Sequence, residues 1–308
     1  MRATNNRQKS ETLNRAAAAA EKKLKGVKSI IIQRFIRSLY FSVSPQDVVE
    51  HGVDRLAGSA VAIWYLGEKR KAGETLLRIY NPTEHLDGWT SPHSILQVVT
   101  DDMPFLVDSI TAELNNRGLT THLVVHPIIK AVRDAQGQLT RIVWPGQMDN
   151  GASAESFMSF EITRQGGLSS FKDLETSLDG VLADVRAAVE DWKPMRQRVQ
   201  TIIEDMKHQS DGKSAADKAE ALYFLQWAHD NHFTFLGYRD HEFKGKGAKA
   251  KVHVNPKTGL GLLRDRNKIV LSNLRHLNTI PPDIRAFVRK SGPLVIRKAD
   301  VKSTVHRP

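Results

Sequence analysis

The stretch Ile95–Ile129, reading ILQVVTDDMPFLVDSITAELNNRGLTTHLVVHPII, constrains the fold more than any other. Ile95 to Thr100 is short, apolar and rich in β-branched residues, which predicts a strand. Asp101, Asp102, Met103 and Pro104 follow. An acid ahead of a proline predicts a helix start, because a carboxylate can cap free N–H groups and proline lacks the N–H that the first turn would leave unpaired. Leu106, Val107, Ile110 and Leu114 recur at helical spacing, and Arg117-Gly118 supplies a C-terminal cation and a left-handed cap. A second β-rich run, Thr121 to Val132, completes a strand–helix–strand unit.

The elements after this unit narrow the architecture. Arg133 to Gln138 reads as a polar hairpin loop and Leu139 to Trp144 as the returning strand. Ser156 to Thr163 is another strand, followed by Phe171, Leu174, Leu178, Val181, Val185, Val189 and Trp192 at helical spacing. Strand, helix, strand, strand, strand, helix predicts an α+β fold: a βαββαβ plait whose antiparallel sheet carries helices on one face. Leu76 to Tyr80, if it joins, is an edge strand. Upstream, Ile32, Phe35, Ile36 and Leu39 form one helical face, and Ser44-Pro45 starts a helix running to about Glu68. Downstream, Pro194 breaks the long helix, Gln209 to Ser214 is a linker, and a broadly apolar helix from Ala215 is expected to be well buried. Beyond it lie a strand from Phe233 to Phe243, a Lys- and Gly-rich tip at Lys244 to Lys249, and short extended pieces including Lys268 to Leu271. A helix starting at Pro281-Pro282 and a strand from Leu294 to Lys298 end this unit without a closing element.

The chain's 308 residues suggest two domains. Its +11 net charge is uneven: residues 1–37 carry +8, residues 38–238 carry −9 and residues 239–308 carry +12. The basic N-terminus has no aromatic before Phe35. It reads as a solvated, partly disordered arm rather than a nucleic-acid surface, or as a docking arm for an acidic partner surface. The absence of cysteine excludes disulfides and thiolate zinc sites. The apolar run Ala60–Leu66 is too short to span a bilayer, and the alanines Ala16–Ala20 run straight into Glu21-Lys22-Lys23, unlike a secretory signal. A cytoplasmic protein with no membrane or nucleic-acid partner is the expectation.

Candidate chemistry is sparse. No phosphate-binding GxxxxGK[ST] loop is present. The lone GxG, Gly259-Leu260-Gly261, lacks the third glycine and ribose-binding acid of a dinucleotide site and reads as a turn within a sheet. His122 and His126 fall on one face if their strand is regular, but have no evident third metal ligand. His229, Asp230 and His232 cluster at a helix-to-strand junction that reads as a capped turn. Asp101 and Asp102 could act as paired carboxylates, but their place before Met103-Pro104 favours capping. No nucleophilic triad is recognisable.

The run DDMPFLVDSITAELNNRGLTTHLVVHP resembles the N-terminal region of the large bacterial NAD-specific glutamate dehydrogenases. YNPTEHLDGW (Tyr80–Trp89), HFTFLGYRDHEF (His232–Phe243), GLGLLRD (Gly259–Asp265) and KSTVHRP (Lys302–Pro308) are similar to the same family, in the same order. That family's chains are several times longer and its catalytic domain lies far downstream. The resemblance therefore implies a non-catalytic regulatory or assembly segment with no NAD bound by this chain, NAD being the cofactor of the parent enzyme. Its implied partners are the rest of that enzyme, a second copy and an amino-acid effector. The family carries ACT-like modules near its N-termini, and VVTDDMPFLVDSI is similar to the ACT pattern of strand, acid, proline, glycine, leucine, helix. The effector site thus implied is Asp101, Asp102, Met103, Pro104 and Phe105. Phe105 departs from the pattern, which has glycine where a ligand lies against the backbone. A stand-alone amino-acid-sensing module is the alternative. The expected organisation is a disordered arm (1–28), a helical lead-in (29–74), an ACT-like domain (75–168), a helical connector (169–214) and a truncated second α+β unit (215–308).

Overall fold

In a computed structural model, the structure describes residues 2–144, 147, 149–208, 214–244, 251–265, 293 and 295. The chain divides into two compact units, Met1–Leu182 and Ala183–Val305. Most of the expected linker, the tip after Lys244 and the elements expected at Lys268–Leu271, Pro281-Pro282 and Leu294–Lys298 lie outside the described residues.

The first unit opens with three helices, α1 (Arg2–Lys23), α2 (Ser29–Leu39) and α3 (Pro45–Gly67). The N-terminal arm is therefore an ordered helix, not a disordered tail. Leu13, Ala16, Ala17, Ala20 and Leu24 form a buried stripe in the same core as Leu56, Ala57 and Ala60 of α3. Small side chains on both helices permit close approach. Ser44 caps α3 as expected, its hydroxyl accepting from the Asp47 N–H at 3.1 Å. Gly52, at φ 72°, ψ 169°, breaks α3 into two segments.

There follow β1 (Leu76–Tyr80), the short α4 (Glu84–Asp87), β2 (Ser94–Asp101), α5 (Leu106–Asn116), β3 (Thr121–Val125), β4 (Ile128–Arg133), β5 (Leu139–Val143), β6 (Ser153–Ile162) and α6 (Leu168–Glu190). The sheet order is β1-β2-β6-β4-β5, with β3 also on β6, and every pairing is antiparallel. The expected run Thr121–Val132 is thus two strands, interrupted at His126-Pro127. One edge of the ten-residue β6 takes both, pairing with β3 from Thr121↔Ile162 and with β4 from Ile128↔Ser156. The step from β2 through α5 to β3 skips over β6, a split βαβ arrangement. Among the described residues no strand after α6 joins this sheet, and β1 fills the edge beside β2.

Helices cover both faces of the sheet's centre, not one. Every residue of β2 from Ser94 to Thr100 is buried. Odd-numbered positions face α1–α3: Val99 and Phe157 share their core, and Gln97 Nε2 donates to the Ser59 carbonyl. The Phe35 ring stands edge-on to Trp64 and Phe157 at 5.1 and 5.5 Å. By strand alternation the buried Leu96, Val98, Met158 and Phe160 point the other way, the side of Leu106, Ile110 and Leu114 in α5 and Leu174 and Leu178 in α6. A strand buried on both faces loses the polar alternation from which a one-sided sheet is read.

In the second unit α6 ends and is followed by α7 (Trp192–His208), α8 (Ala215–Trp227), β7 (Gly237–Tyr238), β8 (His241–Lys244), β9 (Lys251–Val254) and β10 (Leu260–Gly261). The helix break falls at Asp191, and Pro194 sits in the first turn of α7, where proline is tolerated. α8 is not well buried: Leu225 alone is buried among its residues, packing on Val199, Ile203 and Met206, while Tyr223 is 75% exposed. The strand expected over Phe233–Phe243 is two short pieces, separated where the Asp240 N–H donates to the Thr258 hydroxyl.

Candidate functional site

The candidate turn begins where β2 ends. Asp101 does not cap α5. Its Oδ1 accepts from Arg70 Nη2 at 2.8 Å and its Oδ2 from the Gly73 N–H at 2.9 Å. Asp102 does not cap it either: its N–H donates to the Ala154 carbonyl, and its Oδ1 accepts from the Ser156 hydroxyl at 2.7 Å. Both carboxylates are thus drawn sideways, to the loop before β1 and to β6. Phe105 is the residue at the helix start. It sits in the left-handed region at φ 74°, ψ 0°, with no side-chain cap, and its carbonyl accepts from Ser109 N–H at 3.0 Å. That conformation costs an L-residue about 1–2 kcal/mol and is the one glycine adopts freely. The phenylalanine therefore keeps a glycine's backbone shape while adding a ring.

Pro104, Phe105, Asp102 and Met103 line an open cavity of about 390 Å³ with Leu106, Val107, Asp108, His126 and Ile128. Asp101 is not among its walls. His126 Nε2 lies 3.2 Å from the Ser156 hydroxyl. Because that hydroxyl donates to Asp102, Nε2 must carry the proton, so Nδ1 is the free lone pair of a neutral ring. Burial lowers the His126 pKa and holds it in this neutral form. The cavity thus presents the uncapped N-terminal end of α5 beside Asp102 and Asp108, chemistry suited to a small zwitterion.

Next to the turn lies a charge network that sequence reasoning missed. Glu155 on β6 is fully buried. It accepts from Arg133 Nε and Nη2 at 2.8 and 2.7 Å and from Arg70 Nε at 3.2 Å. Arg70, 2% exposed, also reaches Asp101 and the Glu74 carbonyl, and Arg133 reaches the carbonyls of Gly67 and Gly137. Burial alone would raise the Glu155 pKa; Arg133 and Arg70 outweigh it and hold it below the usual carboxylate value.

The remaining candidates separate. His122 stacks on His93, ring centroids 3.9 Å apart, while His126 turns to Ser156, because the strand breaks between them. His232 stacks on Trp227 at 4.7 Å and contacts its carbonyl through Nδ1; His229 Nδ1 lies 3.7 Å from Asp230. Among the described residues no group of three or more acids or histidines is placed to hold a metal, and no helix is long and apolar enough to cross a membrane. In the GLG stretch, a Cβ on Gly259 would lie 2.2 Å from the Leu263 carbonyl oxygen and one on Gly261 2.2 Å from that of Leu236, so the first glycine admits the turn after β10 and the second the close approach of the chain entering β7. The Gly261 N–H donates to the buried Asp191, which Arg264 also grips.

Sheet, turn and cavity define the class: an α+β domain with an open cavity at its first strand-to-helix turn. Residues 35–178 match the family model for the glutamate dehydrogenase ACT1 domain, and this part of the chain belongs to that family. The chain is 29% identical over 286 residues to an NAD-specific glutamate dehydrogenase of Halomonas elongata, and 30% identical over 274 residues to that of Pseudomonas aeruginosa. These alignments cover 91% and 89% of this chain but 17% of each relative. A third, from Mycobacterium tuberculosis, is 26% identical over 206 residues, covering 67% of this chain and 12% of the relative.

Proposed function

We propose that this chain is a non-catalytic regulatory and assembly segment of an NAD-dependent glutamate dehydrogenase. The observation that carries this reading is the ACT1 match over residues 35–178 in a chain corresponding to 17% of its relatives' length. The parent reaction, oxidative deamination of L-glutamate to 2-oxoglutarate and ammonium with reduction of NAD, is then performed by sequence outside this chain. Its partners are the rest of that enzyme and a second copy, in the cytoplasm. The split β2–α5–β3 unit, with β6 between its strands, is read as the ACT-type plait, with β1 in place of the closing strand and the β4–β5 hairpin as an extension.

The effector is an amino acid at the Asp101–Phe105 turn. Its carboxylate meets the N–H groups opening α5 and its ammonium meets Asp102 or Asp108, while Asp101 acts indirectly by tying the turn to Arg70. Calorimetric titration with glutamate, aspartate and other amino acids, with NAD as control, tests this. Saturable heat lost on Asp102→Asn or Asp108→Asn supports an effector site. Silence from a folded chain removes the effector and leaves assembly. NAD binding sinks the claim that the nucleotide site lies elsewhere.

A further inference from the structure

A second polar cluster lies on the opposite face of the sheet, remote from the candidate cavity in register and without a part in the reading above. His51 is the last residue of α3 before the Gly52 break. Its Nδ1 lies 2.8 Å from the Asp47 carbonyl oxygen, one turn back. A carbonyl can only accept, so Nδ1 carries a proton. Its Nε2 lies 3.3 Å from Oε1 of Glu161 on β6. The contact is electrostatic rather than an aligned hydrogen bond, since Nε2 has no acceptor in hydrogen-bonding geometry. A bare lone pair there would face the carboxylate and be repelled. Turning the ring over would set carbon atoms against both oxygens and lose both contacts. Geometry therefore asks for protons on both nitrogens.

The surroundings sharpen this. Glu161 is only 8% exposed and its other strong partner is Arg55 Nη2, at 3.0 Å. His93, ahead of β2, stacks on His122 of β3, and both His93 and the phenol of Tyr40, which follows α2 and is held neutral by burial, lie within electrostatic range of Glu161. Glu161 is thus the one carboxylate serving Arg55 and His51 within this group. The hinge is as plain as the charge: at φ 72° Gly52 frees the segment Pro45–His51 from the rest of α3, and a Cβ there would meet nothing within 4 Å.

We propose that His51 is a charged imidazolium that clamps the first segment of α3 to β6, and that its deprotonation releases this segment about Gly52. The α1–α3 layer then has a proton-controlled anchor. Glu161 raises the His51 pKa, so its contribution is complete below the ordinary 6.5 and is lost as pH rises through the higher folded value. His93 is shifted the opposite way, first by burial and then by His122, so protonating it opposes the folded state as pH falls through a value below 6.5. Loss of the His51 charge therefore weakens the anchor on the basic side, and gain of the His93 charge opposes it on the acid side.

Imidazole NMR titration of the 308-residue chain, with His51 assigned from the spectrum of His51→Gln, tests this. His51 should titrate above 6.5, move down in Glu161→Gln, and move further up in Arg55→Met, which keeps the pair but removes the competing cation. Amides of Asp47–His51 should lose hydrogen-exchange protection as pH rises through the His51 midpoint, beyond the intrinsic change, while those of the helix after Gly52 keep theirs. Should Glu161→Gln not fold, the upward shift in Arg55→Met still decides. A His51 that titrates at or below 6.5, or protection that ignores its titration, overturns the proposal.

Discussion

Replacing Glu155 by glutamine isolates the charge that holds the end of the sheet together. The side chain is isosteric and keeps its acceptor oxygen, so packing is preserved while one negative charge leaves a fully buried site. Arg70 is itself 2% exposed and Arg133 is nearly as enclosed, with its side chain 9% exposed. The carboxylate left to balance them is Asp101, whose side chain is 29% exposed and which reaches Arg70 alone of the two. Breaking a buried ion pair by removing one partner typically costs about 3–5 kcal/mol, because the survivor is left charged without a counter-charge. Glu155→Gln is expected within that range, since Arg133 loses its carboxylate while Arg70 keeps only the half-buried Asp101. The triple variant Arg70→Met/Glu155→Leu/Arg133→Met removes every charge of the triad and should recover much of the loss, because well-packed apolar replacements are often neutral. The acid dependence has a defined sign. Folding depresses the Glu155 pKa, so its contribution is present above the ordinary 4.5 and disappears as pH falls through the lower folded value. The single variant should lack that acid-side fall. Urea unfolding followed by circular dichroism gives the magnitude, and hydrogen exchange of β2 and β6 assigns it to the first unit. A loss under about 1 kcal/mol, the range of an exposed pair, would refute the view that this network is electrostatically dry.

Phe105→Gly should leave stability within about 1 kcal/mol of the parent, relief of the left-handed strain offsetting lost ring contacts, whereas Phe105→Val, β-branched at the same φ, should be clearly destabilised. Thermal unfolding of the two variants distinguishes strain from burial. Gly67→Ala places a methyl 2.6 Å from the Phe157 ring and should cost about 1–3 kcal/mol, with partial rescue by Phe157→Leu in the same melts. Ala16→Asp sets an unpaired carboxylate into a fully buried position and should detach α1, while Ala18→Asp on the exposed side of the same helix should not. Limited proteolysis near residue 20 reads the difference, and equal cleavage of the two variants would sink it.

The sheet was legible because its strands follow simple composition. Ile95–Thr100 and Leu139–Trp144 are bounded by acids, glycine and proline, and the structure has β2 and β5 there within one residue. What stayed hidden required knowing neighbours. Gln97, Ser94 and Glu161 are polar, yet they are buried because α3 and a second helical layer close both faces. Basic, polar composition made the N-terminus read as a solvated arm, with the Ala16–Ala20 run weighed only against a secretory signal. In fact Leu13, Ala16, Ala17, Ala20 and Leu24 fall at the spacing of one helical stripe, and their small volume is what lets α1 lie against Ala57 and Ala60. Composition scored the alanines as unremarkable where packing required them to be small. The apolar α8 failed in the other direction: a helix apolar on every side was expected to be enclosed, but one stripe meets α7 while Tyr223 faces solvent.

At the candidate turn, local spacing pointed to the wrong partners for the two acids. Asp101-Asp102 before a proline is a fair capping signal, since nothing local competes for the carboxylates. The competitors are distant in sequence: Arg70 lies 31 residues before Asp101, and Ser156 lies 54 residues after Asp102. A charge-assisted contact to a buried guanidinium outweighs a cap worth about 1 kcal/mol, so the carboxylates turn away and the helix start is left to Phe105. The consequence is chemical as well as structural. A side-chain cap takes up one of the free N–H groups at a helix start, whereas α5 begins without one at the wall of an open cavity. The long-range pull of Arg70 and Ser156 on two acids is therefore what leaves this helix end without a carboxylate cap, and the same Arg70 links the turn to the buried Glu155 network behind it.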